Sequence, residues 1–142
     1  STDQGGLFTE QDYTITILDA NDPATDIALS NAQIDENNAA GVTLGTLTTT
    51  DPNPGQTHTY SLVSGTGSTD NARFSITGNE LKLQVSANYE VQPSYSIRIR
   101  TTDQGGLFFE KEFSVTVNDI NDAPTSIALA TGTAAPPAAS RV

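Results

Sequence analysis

The chain has 142 residues, enough for one core of about 100 residues, a common domain size. It carries 17 acids against 6 bases, a net charge of −11, the wrong sign for a nucleic-acid partner. It holds no Cys to staple the fold, and no apolar run approaches the ~18 residues needed to span a bilayer.

The first segment, Thr2–Leu29, is nearly repeated at Thr102–Leu129. TDQGGLF opens both copies, and DANDPATDIAL or DINDAPTSIAL closes them. Sixteen of the 29 positions are identical when Thr2–Ser30 is set on Thr102–Ala130. Tyr13/Phe113, Ile15/Val115 and Ile17/Val117 keep their chemical type. A period that long is a whole domain, not a solenoid turn. Residues 1–22 therefore read as the last strands and linker of a preceding repeat. Residues 23–122 read as one complete repeat. Residues 123–142 read as the first strand of a following repeat, with an Ala/Pro/Thr-rich tail expected to be disordered.

Within the complete repeat, short Thr/Val/Ile/Leu/Phe/Tyr runs alternate with Gly, Asn, Asp and Pro, which predicts an all-β chain. Strands are expected at Ile27–Ser30, Val42–Thr49, His58–Val63, Phe74–Thr77, Leu81–Val85, Tyr95–Thr101 and Phe109–Asn118. Tyr95, Ile97 and Ile99 share one face, and Ser96, Arg98 and Arg100 the other. Phe113, Val115 and Val117 alternate in the same way with Glu112, Ser114 and Thr116. Period two with one apolar face means antiparallel strands, wet on one side. Gly78-Asn79 and Gly105-Gly106 are placed to turn two hairpins. Seven strands in one such period predict a Greek-key β-sandwich of immunoglobulin-like type.

The acids collect between the strands, at Asp19-Ala20-Asn21-Asp22, Asp35-Glu36-Asn37-Asn38, Asp51-Pro52-Asn53, Asn88-Tyr89-Glu90, Asp103 and Asp119-Ile120-Asn121-Asp122. Carboxylates at that density repel one another unless a cation sits among them. Oxygen-only donors in loops suit Ca2+ rather than Zn2+. The plainer reading is that acidic loops keep the protein soluble and that Asx residues start turns. His58, the only histidine, reads as a satisfied surface residue, because no Ser or Cys partner is placed for it. Gly65-Thr66-Gly67 lacks the Lys-Ser/Thr of a phosphate cradle.

The order DENN, TTDPN, NYE, TTDQGG and NDINDAP resembles the cadherin repeat, motif by motif across the whole period. The resemblance implies an extracellular seven-strand sandwich whose repeats stack end to end, with calcium at each junction. It implies far-end ligands at Glu36, Asn88, Glu90, Asp119, Asn121 and Asp122, with the Ile120 carbonyl. It implies near-end ligands at Asp51, Asn53 and Asp103, reaching back to Asp19, Asn21 and Asp22. Asn53 and Asn88 stand where the family usually has Asp, and each swap removes a negative charge. The function implied is a calcium-stiffened spacer in a large secreted or cell-surface adhesin, with neighbouring repeats as partners and no membrane insertion. The alternative is a module that itself binds polysaccharide or a like repeat on another cell. An enzyme is disfavoured, because the calcium pattern accounts for every acid pair. The lack of Cys, Met and Trp, with abundant Thr, Asn, Gly and Asp, points to a bacterial source.

Overall fold

A computed structural model of the protein describes residues 1–124. The strand expected at Thr125–Ala130 and the tail beyond it lie outside the described residues. The alternating segments close into two four-stranded sheets packed face to face. One sheet has the order β1-β3-β6-β5, from Asp26–Leu29, Val42–Thr50, Glu80–Leu83 and Phe74–Thr77. The other has the order β2-β8-β7-β4, from Gln33–Asp35, Phe108–Asn118, Ser94–Asp103 and His58–Leu62.

The faces are those the alternation assigns. Ile27, Leu47, Leu81 and Leu83 of the first sheet and Ile97, Ile99, Val115 and Val117 of the second are fully buried in one core. Each such side chain contributes about 1.5–3 kcal/mol through removal from water. Phe74 meets Tyr95 edge-on, with centroids 5.6 Å apart. Lys111 on β8 ties the two sheets together, donating from Nζ to Asp26 Oδ1 at 2.8 Å and to the Ile27 carbonyl at 3.0 Å. Both expected turns form: Gly78 (φ 61°) joins β5 to β6, and Gly106 (φ 92°) lies between β7 and β8.

The described residues form eight strands rather than seven, because the first is broken between the sheets. β1 pairs antiparallel with β3; the chain then crosses at Ser30–Asn31, and β2 runs parallel to β8. The crossing needs Gly45, where a Cβ would stand 2.9 Å from Ser30 Oγ and 3.0 Å from the Asn31 backbone. Asn31 Nδ2 holds the bend by donating to the Gln33 and Leu44 carbonyls. A register shift in β3 between Thr43 and Gly45 accommodates it. A three-residue strand with polar ends carries too little alternation to be read from sequence.

Residues 9–18, the copy of β8, form no strand. The acidic segments lie at the two ends of the sandwich. The 19–22 linker, the β3–β4 loop and the β7–β8 turn meet at the near end. The end of β2, the Asn88–Glu90 loop and the 119–122 linker meet at the far end.

Candidate metal centre

Glu36 follows directly on β2 and turns inward, 4% exposed. A buried carboxylate must be satisfied, and backbone N–H groups do this. Oε1 accepts the Ile120 N–H and Oε2 the Tyr89 N–H, both at 2.9 Å. One side chain thereby docks the linker and the Asn88–Glu90 loop onto the sandwich. The Ile120 N–H, followed by that of Tyr89, holds the Glu36 carboxyl below its usual range despite burial.

Glu36, Glu90 and Asp119 bring carboxylate oxygens within 4.8 Å of one another. It is the only such group of three or more metal-ligating acids, His or Cys among the described residues. Glu90's own backbone N–H favours its charge. Although Glu90 and Asp119 are exposed, partial desolvation and the neighbouring Glu36 and Asp119 charges outweigh that and push the Glu90 carboxyl up. Three convergent carboxylates in mutual repulsion, with oxygen donors only, fit a hard divalent cation such as Ca2+.

The other far-end residues are placed differently. Asp122 is drawn toward the sandwich by Asn37, whose Nδ2 donates to Asp122 Oδ1 at 2.6 Å. Asn37 has φ 63°, a conformation Asn tolerates better than most residues. It is not among the ligands the resemblance implies, and its position beside Glu36 is the available signal. Asn88 Oδ1 accepts the Val91 N–H, so it serves its own loop, and Asn121 is exposed.

At the near end every expected residue converges, with different chemistry. Asp103 is buried, and its Oδ1 accepts the Gly105 and Leu107 N–H groups at 2.8 and 3.0 Å. Asn21 Nδ2 donates to its other oxygen at 3.0 Å. Burial works against the Asp103 charge, but the Asn21 amide and the turn N–H groups outweigh it and lower the pKa. Asp51 Oδ1 takes the Asn53 N–H at 2.8 Å. Asp51 Oδ2 takes His58 Nε2 at 2.8 Å. His58 is thus satisfied, as expected, but it is not a surface residue: its side chain is 11% exposed. Asn53 and Gln56 complete the cluster, touching Asp19, Asp22 and Asn21. No sequence spacing flags Gln56 or His58, because only the curl of the β3–β4 loop turns them toward the linker.

A family model described as Cadherin domain matches residues 30–118. Human Protocadherin-16 is 30% identical over 118 residues, covering 79% of the chain. Mouse Protocadherin Fat 2 is 35% identical over 121 residues, covering 82% of it. The chain spans only 4% and 2% of these two relatives. The solved extracellular cadherin domains 1–5 of Protocadherin Gamma B2 share the fold, with a TM-score of 0.57 at 22% identity over 74% of this chain and 21% of that one. Both relatives are mammalian, so the bacterial source expected from composition has no support in them, nor has polysaccharide as a partner. With the sandwich topology, the ordered acidic motifs and the family match in agreement, the chain belongs to the cadherin domain family.

Proposed function

We propose that the chain is a calcium-binding structural repeat of a large extracellular adhesin, acting as a stiff spacer between neighbouring repeats. The observation that carries this reading is the Glu36–Glu90–Asp119 trio at the root of the 119–122 linker. Asp119 belongs to the linker and Glu36 and Glu90 to the sandwich, so a cation held by all three would tie one to the other. Asp122, held by Asn37, stands ready to extend the donor set. Residues 1–22, 23–122 and 123–142 then belong to three successive repeats. The family's usual Asp is Asn88 here, and the lost charge places the affinity in the weak extracellular range, roughly 10⁻⁴–10⁻³ M. A glycan-binding reading would need exposed aromatics. Tyr95 is 3% exposed and Tyr60 is hydrogen-bonded to Thr49. The exposed rings of the repeat, Tyr89 and Phe108, stand at opposite ends of the sandwich, and Phe108 is covered by Arg100, so they form no shared platform, which favours the spacer.

Isothermal titration of chelator-stripped protein tests the proposal. Calcium gives a binding isotherm and raises the melting temperature by mass action. Glu90→Gln removes the repulsion with its charge. Because the folded-state value of Glu90 is raised, its contribution is favourable below the unfolded value and lost as pH rises through the folded value. The variant is therefore more thermostable than wild type in metal-free buffer at neutral pH, and it loses the calcium response. A wild-type titration without heat or a chelator-reversible melting shift would sink the reading.

A further inference from the structure

Asn53 makes the two ends of the sandwich unlike. Its Oδ1 accepts the Asp22 N–H at 2.6 Å. Its Nδ2 donates to Asp19 Oδ2 and to the Ala20 carbonyl, both at 3.1 Å. Three partners agree on one orientation of the amide: turning it over would set oxygen against two oxygens and nitrogen against an N–H. A carboxylate at this position could accept from Asp22 but would repel Asp19. The neutral amide performs both tasks and needs no cation to do so.

The rest of the near end follows the same logic. Asn21 Nδ2 donates to one Asp103 oxygen, and Gln56 Nε2 donates to Asn21 Oδ1. Asn21 in this position crowds residue 105: a Cβ there would lie 2.5 Å from Asn21 Nδ2, so a side chain at 105 would push the Asn21 amide aside. Asp19 and Asp103 each meet an amide across the junction, from Asn53 and Asn21, and Asp51 beside them meets the His58 imidazole and the Asn53 N–H. At the far end three acids face one another instead.

We infer that the near end is a calcium-independent clamp, in which the amides of Asn53 and Asn21 hold the 19–22 linker to the sandwich without metal. The inference rests on reading 19–22 as an inter-repeat linker, and it assigns the calcium dependence of the repeat to the far end alone. The two junctions of one repeat then differ in kind: one is permanently docked, the other set by the ion. Asn53 is the positioning residue, with Gly105 permitting the second contact.

Amide hydrogen exchange on the full chain, with chelator and with excess calcium, tests it. The Asp22 N–H reports the clamp, and the Ile120 N–H, bound to Glu36, reports the far end. The clamp requires Asp22 protection to be the same in both buffers. It is overturned if chelation lowers Asp22 protection by about tenfold or more, a change of about 1.4 kcal/mol in local opening. Asn53→Asp supplies the converse: Asp22 protection is lost in chelator and recovered in calcium. An Asn53→Asp protein that stays protected in chelator overturns the assignment to the amide. Gly105→Ala displaces Asn21 and weakens Asp22 protection equally in both buffers, and calcium-dependent weakening would contradict the clamp. An Ile120 N–H indifferent to calcium would count against the far-end metal centre and leave the clamp standing.

Discussion

The chain carries the same sentence twice and folds it two ways. In Thr2–Leu18 and Thr102–Asn118 the turn is identical down to its hydrogen bonds. Asp3 Oδ1 accepts the Gly5 and Leu7 N–H groups, as Asp103 Oδ1 accepts those of Gly105 and Leu107. Gly6 and Gly106 both take positive φ, 83° and 92°. Beyond the turn the copies part. Val115 and Val117 are buried in β8, whereas Ile15 and Ile17 are 88% and 92% exposed and belong to no strand. Local chemistry suffices for the turn, because its bonds close within four residues. A strand needs a neighbour, and β7 supplies one to the second copy only.

The largest test of that contrast is a matched pair of charges. Val115→Asp buries an unpaired carboxylate, costs several kcal/mol and abolishes the cooperative thermal transition. Ile15→Asp, at the same place in the first copy, shifts stability by no more than about 0.5 kcal/mol. If the two melted alike, the first copy would have a tertiary partner.

Next come the turns themselves. Asp103→Ala orphans two N–H groups and the Asn21 amide and lowers the melting temperature by about 5 °C or more. Asp3→Ala leaves the melting temperature alone while the Gly5 and Leu7 amide resonances move, showing a turn that forms without stabilising the fold.

Acid sharpens the comparison further. Arg98 Nε and Arg100 Nε each donate to Glu110 at 2.9 Å. The hydrogen bonds from Arg98 and then Arg100 hold its carboxyl below the usual 4.5. A lowered folded-state value means that its stabilisation is full above the unfolded value and lost as pH falls through the folded one. Wild type therefore loses melting temperature more steeply below pH 4.5 than Glu110→Gln does. Equal slopes for the two proteins would remove the arginine pair from the account.

The smallest effect is expected at the aromatic pair. The Arg100 guanidinium stacks 3.9 Å from the centre of the Phe108 ring on the outer face of the sheet. Phe108→Ala costs about 0.5–1 kcal/mol by chemical denaturation. Phe8→Ala, with no such cation above it among the described residues, leaves the midpoint in place.

Much of the fold was legible because its signals are short-range. The alternation of Tyr95, Ile97 and Ile99 and of Val115 and Val117 names the buried face correctly. The acids of both ends were legible as groups, since each motif is a few residues long. What escaped was the switch at Ser30–Asn31, which depends on a glycine fourteen positions on, where a side chain would collide. The role expected of Asn88 rests on a motif alone, and in the fold its side chain accepts from Val91 three residues away.

By itself, then, the sequence determined the turns, the strand faces and the gathering of acids between strands. Each of these is settled by a residue's own stereochemistry or by neighbours within a few positions. Only the tertiary structure decided which copy of TDQGGLF leads into a strand, that His58 is half-buried against Asp51, and that Asn53 and Asn37 aim their amides at Asp19 and Asp122. Those last two contacts span 34 and 85 residues. They exist only once hydrophobic burial has closed the two sheets, because no local preference could offset the entropy of bringing such distant groups together.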